Sequence, residues 1–297
     1  MFGFDVRIEG NVATHGGGVA LIGGESAPAS LCLGRARDPE SCFDHGGAPP
    51  SGAVPCDVLF ACNAVMDNVA NGNIGGSAIL RYATSGTGPV PVLMSGTRLE
   101  RNTGRSVVGS LGASVTPGGT LALRDTQIAF NIAGNALVDG VPPGLPGVPP
   151  EASHQLGAVE IERCTVAENQ VGASYVIATR SNLTLTERIV YQPGTTVHAG
   201  NASGVFARHV LANEIATLPV RPDIVAGDPM LLSSGEDELR PAASSIALDF
   251  SNYPADGLDL TGAARGQDLP EVPNRFGPRD LGAFEQRAPP IFSHDFE

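Results

Sequence analysis

Five side chains in this sequence have types and spacing suited to binding a sugar polymer: Asp67, Arg98, Arg101, Phe130 and Glu168. All except Arg98 directly precede an asparagine, so they occupy one position of a recurring pattern. A carboxylate, a base, an aromatic ring and a second carboxylate in one row could form a groove that binds a glycan. A solvated face with compensating charges is the alternative interpretation, and the sequence leaves both open.

Catalytic chemistry has weaker signals. The sequence has no dense aspartate cluster and no G-x-S-x-G, and its glycine-rich runs contain no P-loop. All 18 basic residues are arginine. Its four candidate histidines occupy non-equivalent positions, so we expect them on the surface or in turns: His15, His154, His198 and His209. We predict no catalytic residue, no metal site and no cofactor, and Ca²⁺ enters only if the protein is an enzyme.

A repeat positions these side chains. Residues 121–134 read LALRDTQIAFNIAG and residues 159–172 read VEIERCTVAENQVG. Both have apolar residues at positions zero, two and seven, and asparagine at position ten. Most of the gaps between the repeated asparagines are about 30 to 40 residues long, which is typical of one solenoid coil plus loops. The repeated asparagines are Asn11, Asn68, Asn102, Asn131, Asn169 and Asn213.

The spacing predicts the shape of each coil. Positions zero and two face the same side of a strand, and position seven needs an odd shift, so a bend lies between them. Asparagine tolerates left-handed backbone, so position ten is predicted to turn the next corner. Equivalent residues in stacked coils lie about 4.8 Å apart, where asparagines can form a hydrogen-bonded ladder. In the copy that begins at Leu183, Pro193 replaces the asparagine.

Two charge pairs are expected between neighbouring coils. Arg124 would face Glu162, and Asp125 would face Arg163, with each pair contributing a few tenths of a kcal/mol. Amphipathic helices do not fit apolar positions zero, two and seven. A two-sheet sandwich fits better but does not explain the recurring asparagine.

Composition and charge exclude several functions. The formal net charge is −13, which argues against binding a nucleic-acid backbone. No apolar run approaches the roughly 20 residues of a transmembrane helix. No signal peptide is visible in the sequence. Met1 already occupies position zero of a coil, and no segment before it covers the exposed end of the solenoid. We therefore expect the natural protein to begin upstream.

The cysteines indicate an oxidising compartment. Cys32, Cys42, Cys56 and Cys62 cluster within 31 residues, and two disulfides among them are predicted. Free thiols are the alternative, and zinc is disfavoured because no C-x-x-C is present. Cys164 occupies position five of its coil, which falls at the bend and is mostly filled by small residues. We predict that it is a free buried thiol.

The coils resemble those of right-handed parallel β-helix proteins of the pectate-lyase-like superfamily. The phrase CTVAENQ (residues 164–170) carries that resemblance, and GNVATHGGGVAL (residues 10–21) is similar to repeats of polymorphic outer-membrane proteins. The resemblance implies an all-β fold, a right-handed parallel β-helix of about seven coils with a C-terminal capping segment. Residues 1–218 would form the coils, with insertions at about residues 23–55 and 134–157.

The C-terminal part resembles the end of the choice-of-anchor Q family. Residues 226–250, the DLTG of residues 259–262, Arg265 and the RDLGAFE of residues 279–285 follow that family's order and spacing. Ser245 stands where proline is usual, and Ser251 where glycine is usual. Residues 219–287 would close the helix, and residues 288–297 would form a tail.

These features lead to a functional expectation. We expect a secreted or cell-surface bacterial protein with a structural, adhesive or glycan-binding role, non-catalytic, with polysaccharide or cell-envelope components as partners. The alternative is a polysaccharide lyase or glycoside hydrolase that acts on an acidic polysaccharide. Nucleic acid is not an expected partner.

Overall fold

The computed structural model describes residues 2–4, 6–23, 31–34, 63–72, 76–83, 91–112, 120–140, 158–200, 202–234, 238–254 and 257–286. Within these ranges the chain is all-β, with several parallel sheets and no helix. None of the described elements is a helix long and apolar enough to cross a membrane.

The largest sheet has thirteen parallel strands in two stacks. The first stack contains β1 (Phe2–Phe4), β5 (Leu31–Gly34), β9 (Val92–Ser95), β13 (Leu121–Arg124) and β17 (Val159–Glu162). The second stack contains β2 (Arg7–Glu9), β6 (Asn63–Met66), β10 (Thr97–Glu100), β14 (Gln127–Ala129) and β18 (Thr165–Ala167). The stacks merge because β21 (Asn182–Tyr191) pairs with both β17 and β18. Beyond it lie β23 (Gly204–Ala212) and β24 (Ile224–Ala226).

Two smaller parallel sheets complete each turn of the chain. The corner sheet contains β3 (Val12–Ala13), β7 (Val69–Ala70), β11 (Thr103–Gly104), β15 (Ile132–Ala133) and β19 (Gln170–Val171). The third sheet contains β4 (Val19–Gly23), β8 (Gly76–Ala83), β12 (Ser106–Gly112), β16 (Val138–Asp139), β20 (Tyr175–Ala178) and β22 (Thr196–His198). The chain visits the sheets repeatedly in the same order, an arrangement consistent with a parallel β-helix.

The register confirms which apolar positions share an interior. Leu121 aligns with Val92 on one side and Val159 on the other, and Leu123 aligns with Met94 and Ile161. All six side chains are buried in one hydrophobic cluster. Side chains alternate along each strand, so positions zero and two supply this core while the residue between them faces out.

The left-handed residue at each corner lies one position earlier than predicted. Asparagine was expected to take the left-handed conformation, but the residue before it does so: Asp67, Arg101, Phe130 and Glu168 have φ between 52° and 58°. A second left-handed bend separates the two stacks, at Asp125, Arg163, Glu187 and His209 among others. The asparagine instead turns its side chain into the stack. Because both bends recur from coil to coil, their strain belongs to the architecture and does not mark a special site.

The predicted insertions also need correction. Leu31–Gly34, assigned to the first insertion, is strand β5 between β1 and β9. In the copy of the repeat that ends at Asn68, Val58 and Phe60 would occupy positions zero and two and were expected in this place, and both lie outside the described residues. Val138–Asp139, assigned to the second insertion, is strand β16 of the third sheet. Both strands are short and are flanked by glycine and proline, so the apolar pattern of a strand was not recognised in the sequence.

The C-terminal segment was predicted to close the helix, and its first residues lie at the end of the stack, where β24 pairs with β23. Leu218 and Ile224 pack against the interior core near its last strands. Residues 231–286 instead fold back along the outer side of the second stack. They contain the only antiparallel pair of strands among the described residues, β25 (Leu231–Ser234) and β26 (Glu238–Pro241). Leu239 packs on Ala129 and Ala167, and Leu281 packs on Ile189 and Leu211.

Candidate functional site

The asparagines form a continuous buried ladder through the stack. Asn68 Nδ2 donates to Asn102 Oδ1 at 3.0 Å, Asn102 to Asn131 at 3.1 Å, and Asn131 to Asn169 at 2.9 Å. Each Oδ1 also accepts the backbone N–H of the asparagine in the neighbouring coil. Every second donor is used as well; Asn131 Nδ2, for example, donates to Leu99 O. These amides satisfy the corner backbone and leave no polar group available to a ligand.

The ladder continues where the sequence pattern fails. Gln192, rather than Pro193, supplies the next rung: its Oε1 accepts the Asn169 N–H at 3.1 Å, and its Nε2 donates to Asn169 O. The Gln192 N–H then donates to Asn213 Oδ1 at 2.7 Å. Glutamine is one methylene longer than asparagine, so it reaches the same site from one position earlier. At the other end, Asn11 donates to Asn68 at 2.9 Å.

The corner row is defined here as Asp67, Arg101, Phe130 and Glu168. Its members lie in successive coils, directly before the ladder. Arg101 donates to both carboxylate oxygens of Asp67, at 2.9 and 3.2 Å. Both side chains are partly exposed, with relative accessibilities of 37% and 46%. The base and the first acid therefore compensate each other's charge on the surface.

The other end of the corner row is aromatic and acidic. Phe130 is half-buried and packs against the small cluster of Ala129, Ala167 and Leu239, which Tyr191 also contacts. Glu168 is exposed. Partial burial, followed by the nearby carboxylates of Asp228 and Glu168, raises the pKa of the Tyr191 hydroxyl above its usual value. Tyr191 aligns with Ala167, one position before Glu168, so Tyr191 and Asp228 lie beside the end of the corner row and are not further members of it.

Arg98, the fifth predicted ligand residue, does not join the corner row. It is buried and donates to both oxygens of Glu100, at 2.6 and 2.9 Å. Gln127 Nε2 also donates to Glu100 at 2.6 Å, and the side-chain oxygen Oε1 of Gln127 accepts the Leu239 N–H at 2.9 Å. Burial raises the pKa of Glu100 despite these partners. The C-terminal segment covers this face, which explains why Arg98 is not available at the surface.

Both predicted charge pairs between coils are confirmed. Arg124 lies 3.5 Å from Glu162, and Arg163 lies 2.9 Å from Asp125. Asp125 has a further partner that the repeat did not predict. Arg265, from the C-terminal segment, donates to the same carboxylate oxygen at 2.9 Å. One carboxylate at a bend of the stack therefore holds two arginines.

The residues that carry the choice-of-anchor Q resemblance make further buried contacts of the C-terminal segment. Arg279 lies 3.6 Å from Glu187, and Arg265 lies 3.7 Å from Glu285. Glu285 accepts the N–H groups of Gly266 and Gln267 at 2.8 and 3.1 Å. We call these contacts, together with the Asp125–Arg265 pair, the latch. They connect loops of the segment to each other and to the bend that separates the two stacks.

Two aspartates tie the loops of the C-terminal segment together. Asp280 accepts the Asp249 N–H at 2.9 Å and the Gln286 N–H at 2.6 Å. Burial and the neighbouring charge of Glu285 raise the pKa of Asp280 to about 7. Asp259 accepts the Thr261 and Ala263 N–H groups at 2.9 and 2.8 Å and the Glu285 N–H at 3.1 Å. These carboxylates accept hydrogen bonds from backbone N–H groups, as expected of residues that order a loop.

Two histidines are buried. His198 and His209 were predicted at the surface or in turns; His209 does lie at the second left-handed bend, but neither side chain is at the surface. His209 lies among the rings of Phe250, Tyr253 and Phe276, at centroid distances of 6.4, 5.6 and 5.7 Å. Burial lowers its pKa. His15 is exposed, and His154 lies outside the described residues.

The cysteine predictions are tested only in part. Cys164 is a free, buried thiol as predicted, and burial raises its pKa to about 12. Cys42, Cys56 and Cys62 lie outside the described residues, and only the backbone of Cys32 is described, so the two disulfides stay a prediction. Within the described ranges, no three histidine, cysteine, aspartate or glutamate side chains are grouped to hold a metal ion.

Comparison with known proteins adds no identification, since no family model, no curated protein and no solved structure matches this chain.

Proposed function

We propose that the chain is a right-handed parallel β-helix of the pectate-lyase-like superfamily with a choice-of-anchor Q end. The parallel sheets and the common register of the coils support the fold. The latch supports the second part of the proposal, because the residues that carry the sequence resemblance are the buried ones that order the C-terminal segment. A protein of this kind would be secreted or displayed at the surface of a bacterial cell.

We further propose a structural or adhesive role in which the corner row binds an extended glycan. The observation that carries this proposal is the continuous row of Asp67, Arg101, Phe130 and Glu168 on successive coils. Strand stacking sets a spacing of about 4.8 Å between equivalent positions, so a linear polymer could contact several coils at once. A half-buried aromatic ring beside carboxylates and an arginine offers an apolar surface with flanking hydrogen-bond partners.

A polysaccharide binding panel tests the role of the corner row. Phe130→Ala should reduce binding to the preferred polymer by about tenfold or more, since one ring contact contributes about 1.5 kcal/mol. Phe206→Ala is the matched control, because Phe206 is a half-exposed ring on strand β23, away from the row. Equal losses in both variants, or none in Phe130→Ala, would reject the corner row as the site.

The same panel separates binding from catalysis. Incubation of each polymer with the protein, with and without Ca²⁺, should release neither new reducing ends nor unsaturated products. Release of either product that depends on Glu168 would replace the adhesive proposal with an enzymatic one.

A further inference from the structure

One arginine lies inside the stack instead of on its surface. Arg188 belongs to strand β21 and aligns with Val210 of strand β23. On its other side is Cys164, whose carbonyl accepts the next backbone N–H of β21 at 3.0 Å. Cys164 and Val210 both belong to the main hydrophobic core. The Arg188 side chain is fully buried, at 0% exposure, in a position that Thr126 and Cys164 fill in the preceding coils.

The guanidinium is only partly hydrogen bonded. Its Nη2 donates to Ile161 O at 3.2 Å and reaches Thr184 O at 3.5 Å. Nε and Nη1 are buried without a hydrogen-bond partner among the described residues. A buried donor without a partner is strongly unfavourable, and more so when the group carries a charge.

Among the residues that the structure describes, no neighbouring group supplies the opposite charge. The adjacent Glu187 faces the C-terminal segment, where it lies 3.6 Å from Arg279. Within the described ranges no carboxylate forms an ion pair with Arg188. The Cys164 thiol occupies the equivalent position of the preceding coil, and its sulfur lies 3.4 Å from Leu123 O and 3.2 Å from Glu162 O. These acceptors favour the protonated, neutral thiol.

The charge state of both groups agrees with this geometry. Burial lowers the pKa of Arg188 to about 9, so the guanidinium is still a cation at neutral pH. Burial raises the pKa of Cys164 to about 12, so the thiol is uncharged there. A lone cation in an apolar interior needs a counter-ion.

We propose that Arg188 binds a small monovalent anion of the halide class inside the stack, through Nε and Nη1. The surrounding core side chains, which include Ile161, Leu185 and Val210, offer few further donors, which favours a spherical, weakly hydrated ion over a phosphate or carboxylate. The site is separate from the corner row and does not depend on the proposed glycan binding. The ion would enter during folding, since the position is closed to solvent, and would contribute to stability.

Crystals of the full chain grown in sodium bromide test the site directly. An anomalous bromide peak within about 3.5 Å of Arg188 Nε or Nη1 is expected. A water molecule there, or an empty space, would overturn the proposal. So would a Cys164 thiolate within that distance, because it would provide the counter-charge itself.

Stability in solution provides the second measurement. Protein refolded from urea into sodium bromide should melt about 5 °C higher than in sodium gluconate of equal ionic strength, once bromide exceeds its Kd about 100-fold. Arg188→Met should abolish this shift, because methionine fills the space without a charge. Arg208→Met, on the same strand but partly exposed, is the control and should keep it.

The outcomes are distinguishable. A bromide-dependent shift that persists in Arg188→Met would place the ion elsewhere and reject the assignment, as would an equal Tm in both salts for the wild-type protein. If Arg188→Met does not fold, the crystallographic peak in the wild-type protein decides the question.

Discussion

The coil stack and the C-terminal segment lie side by side but are stabilised in different ways. In the stack, neighbouring strands share one register, and the repeated groups are apolar side chains and the asparagine ladder. In the described part of residues 231–286, paired strands are limited to β25 and β26, and buried carboxylates bind arginines and backbone N–H groups. Repetition suffices where every coil meets a copy of itself, whereas a segment that meets a different surface needs specific polar contacts.

The difference predicts where mutations act. Changes in the stack should affect the whole molecule, because each coil supports its neighbours. Changes in the latch should first release the C-terminal segment. Four predictions test this contrast, in order of decreasing effect.

A charge in the stack interior should have the largest effect. Leu123→Asp or Ile161→Asp would bury an unpaired carboxylate among apolar side chains of three coils, with a loss above about 4 kcal/mol and general unfolding. Phe206→Asp, at an outward position of the same sheet, should change stability by less than about 1 kcal/mol. Urea denaturation followed by circular dichroism measures both, and unchanged melting of the interior variants would show that these positions face solvent.

Removal of the charge on Asp125 should have the next largest effect. Asp125→Asn leaves Arg163 and Arg265 without their shared carboxylate, at a loss of about 3 kcal/mol or more. Asparagine tolerates the left-handed backbone, so the change isolates the charge. Asp67→Asn, at the exposed pair with Arg101 in the corner row, should lose only about 0–1 kcal/mol.

Hydrogen exchange shows where the Asp125→Asn effect appears. Residues 249–286 should exchange faster while strands β13 and β17 stay protected. Uniform faster exchange over the whole chain would mean that the stack and the segment form a single cooperative unit.

The ladder should contribute an intermediate amount. Asn131→Ala leaves partners in both neighbouring coils unpaired, with an expected loss of about 1–3 kcal/mol. Asn11→Ala, at the exposed end of the ladder, should lose less. Thermal melts of the alanine variants of Asn102, Asn131 and Asn169 complete the test, and equal, near-zero shifts would refute the ladder as a source of stability.

A change of one pH unit should have the smallest effect on the free energy of unfolding. The pKa of Asp280 is raised from 3.8 to about 7 in the folded protein, so the native state holds a proton that the unfolded chain has lost. The contribution of Asp280 to stability therefore falls as the pH rises from about 4 to about 7, by at most about 1.4 kcal/mol per pH unit.

Asp280→Asn isolates this titration. The variant should be less sensitive to pH than the wild-type protein across that window, since asparagine resembles the protonated acid. Urea denaturation at pH 5 and pH 7.5 measures the difference. An identical pH dependence in both proteins would contradict the raised pKa.

The sequence predicted the parts of the fold that repetition controls. The apolar positions, the bend between them and the Arg124–Glu162 pair follow from strand alternation and from the spacing of copies. The strand at Leu31–Gly34 was missed because glycine and proline flank it and no asparagine follows at position ten. The rung at Gln192 was missed because a longer side chain replaces asparagine one position earlier.

The arrangement of the C-terminal segment could not be predicted from spacing. Asp125 and Arg265 are 140 residues apart in the chain, and no repeat relates them. The resemblance identified Arg265 and Glu285 as members of a motif, but not the surface against which they pack. The same limit applies to Arg98, which has a suitable type for a ligand residue and became buried only because another segment covers it.

A double-mutant cycle between Asp125 and Arg265 tests the central claim most directly, namely that the C-terminal segment folds back along the stack and is held there by buried ion pairs. The free energy of unfolding is measured for the wild-type protein, Asp125→Asn, Arg265→Met and the double variant. Contact between the two side chains predicts a coupling energy of about 1–3 kcal/mol. Additive effects, with a coupling energy within about 0.5 kcal/mol of zero, would show that the segment lies elsewhere.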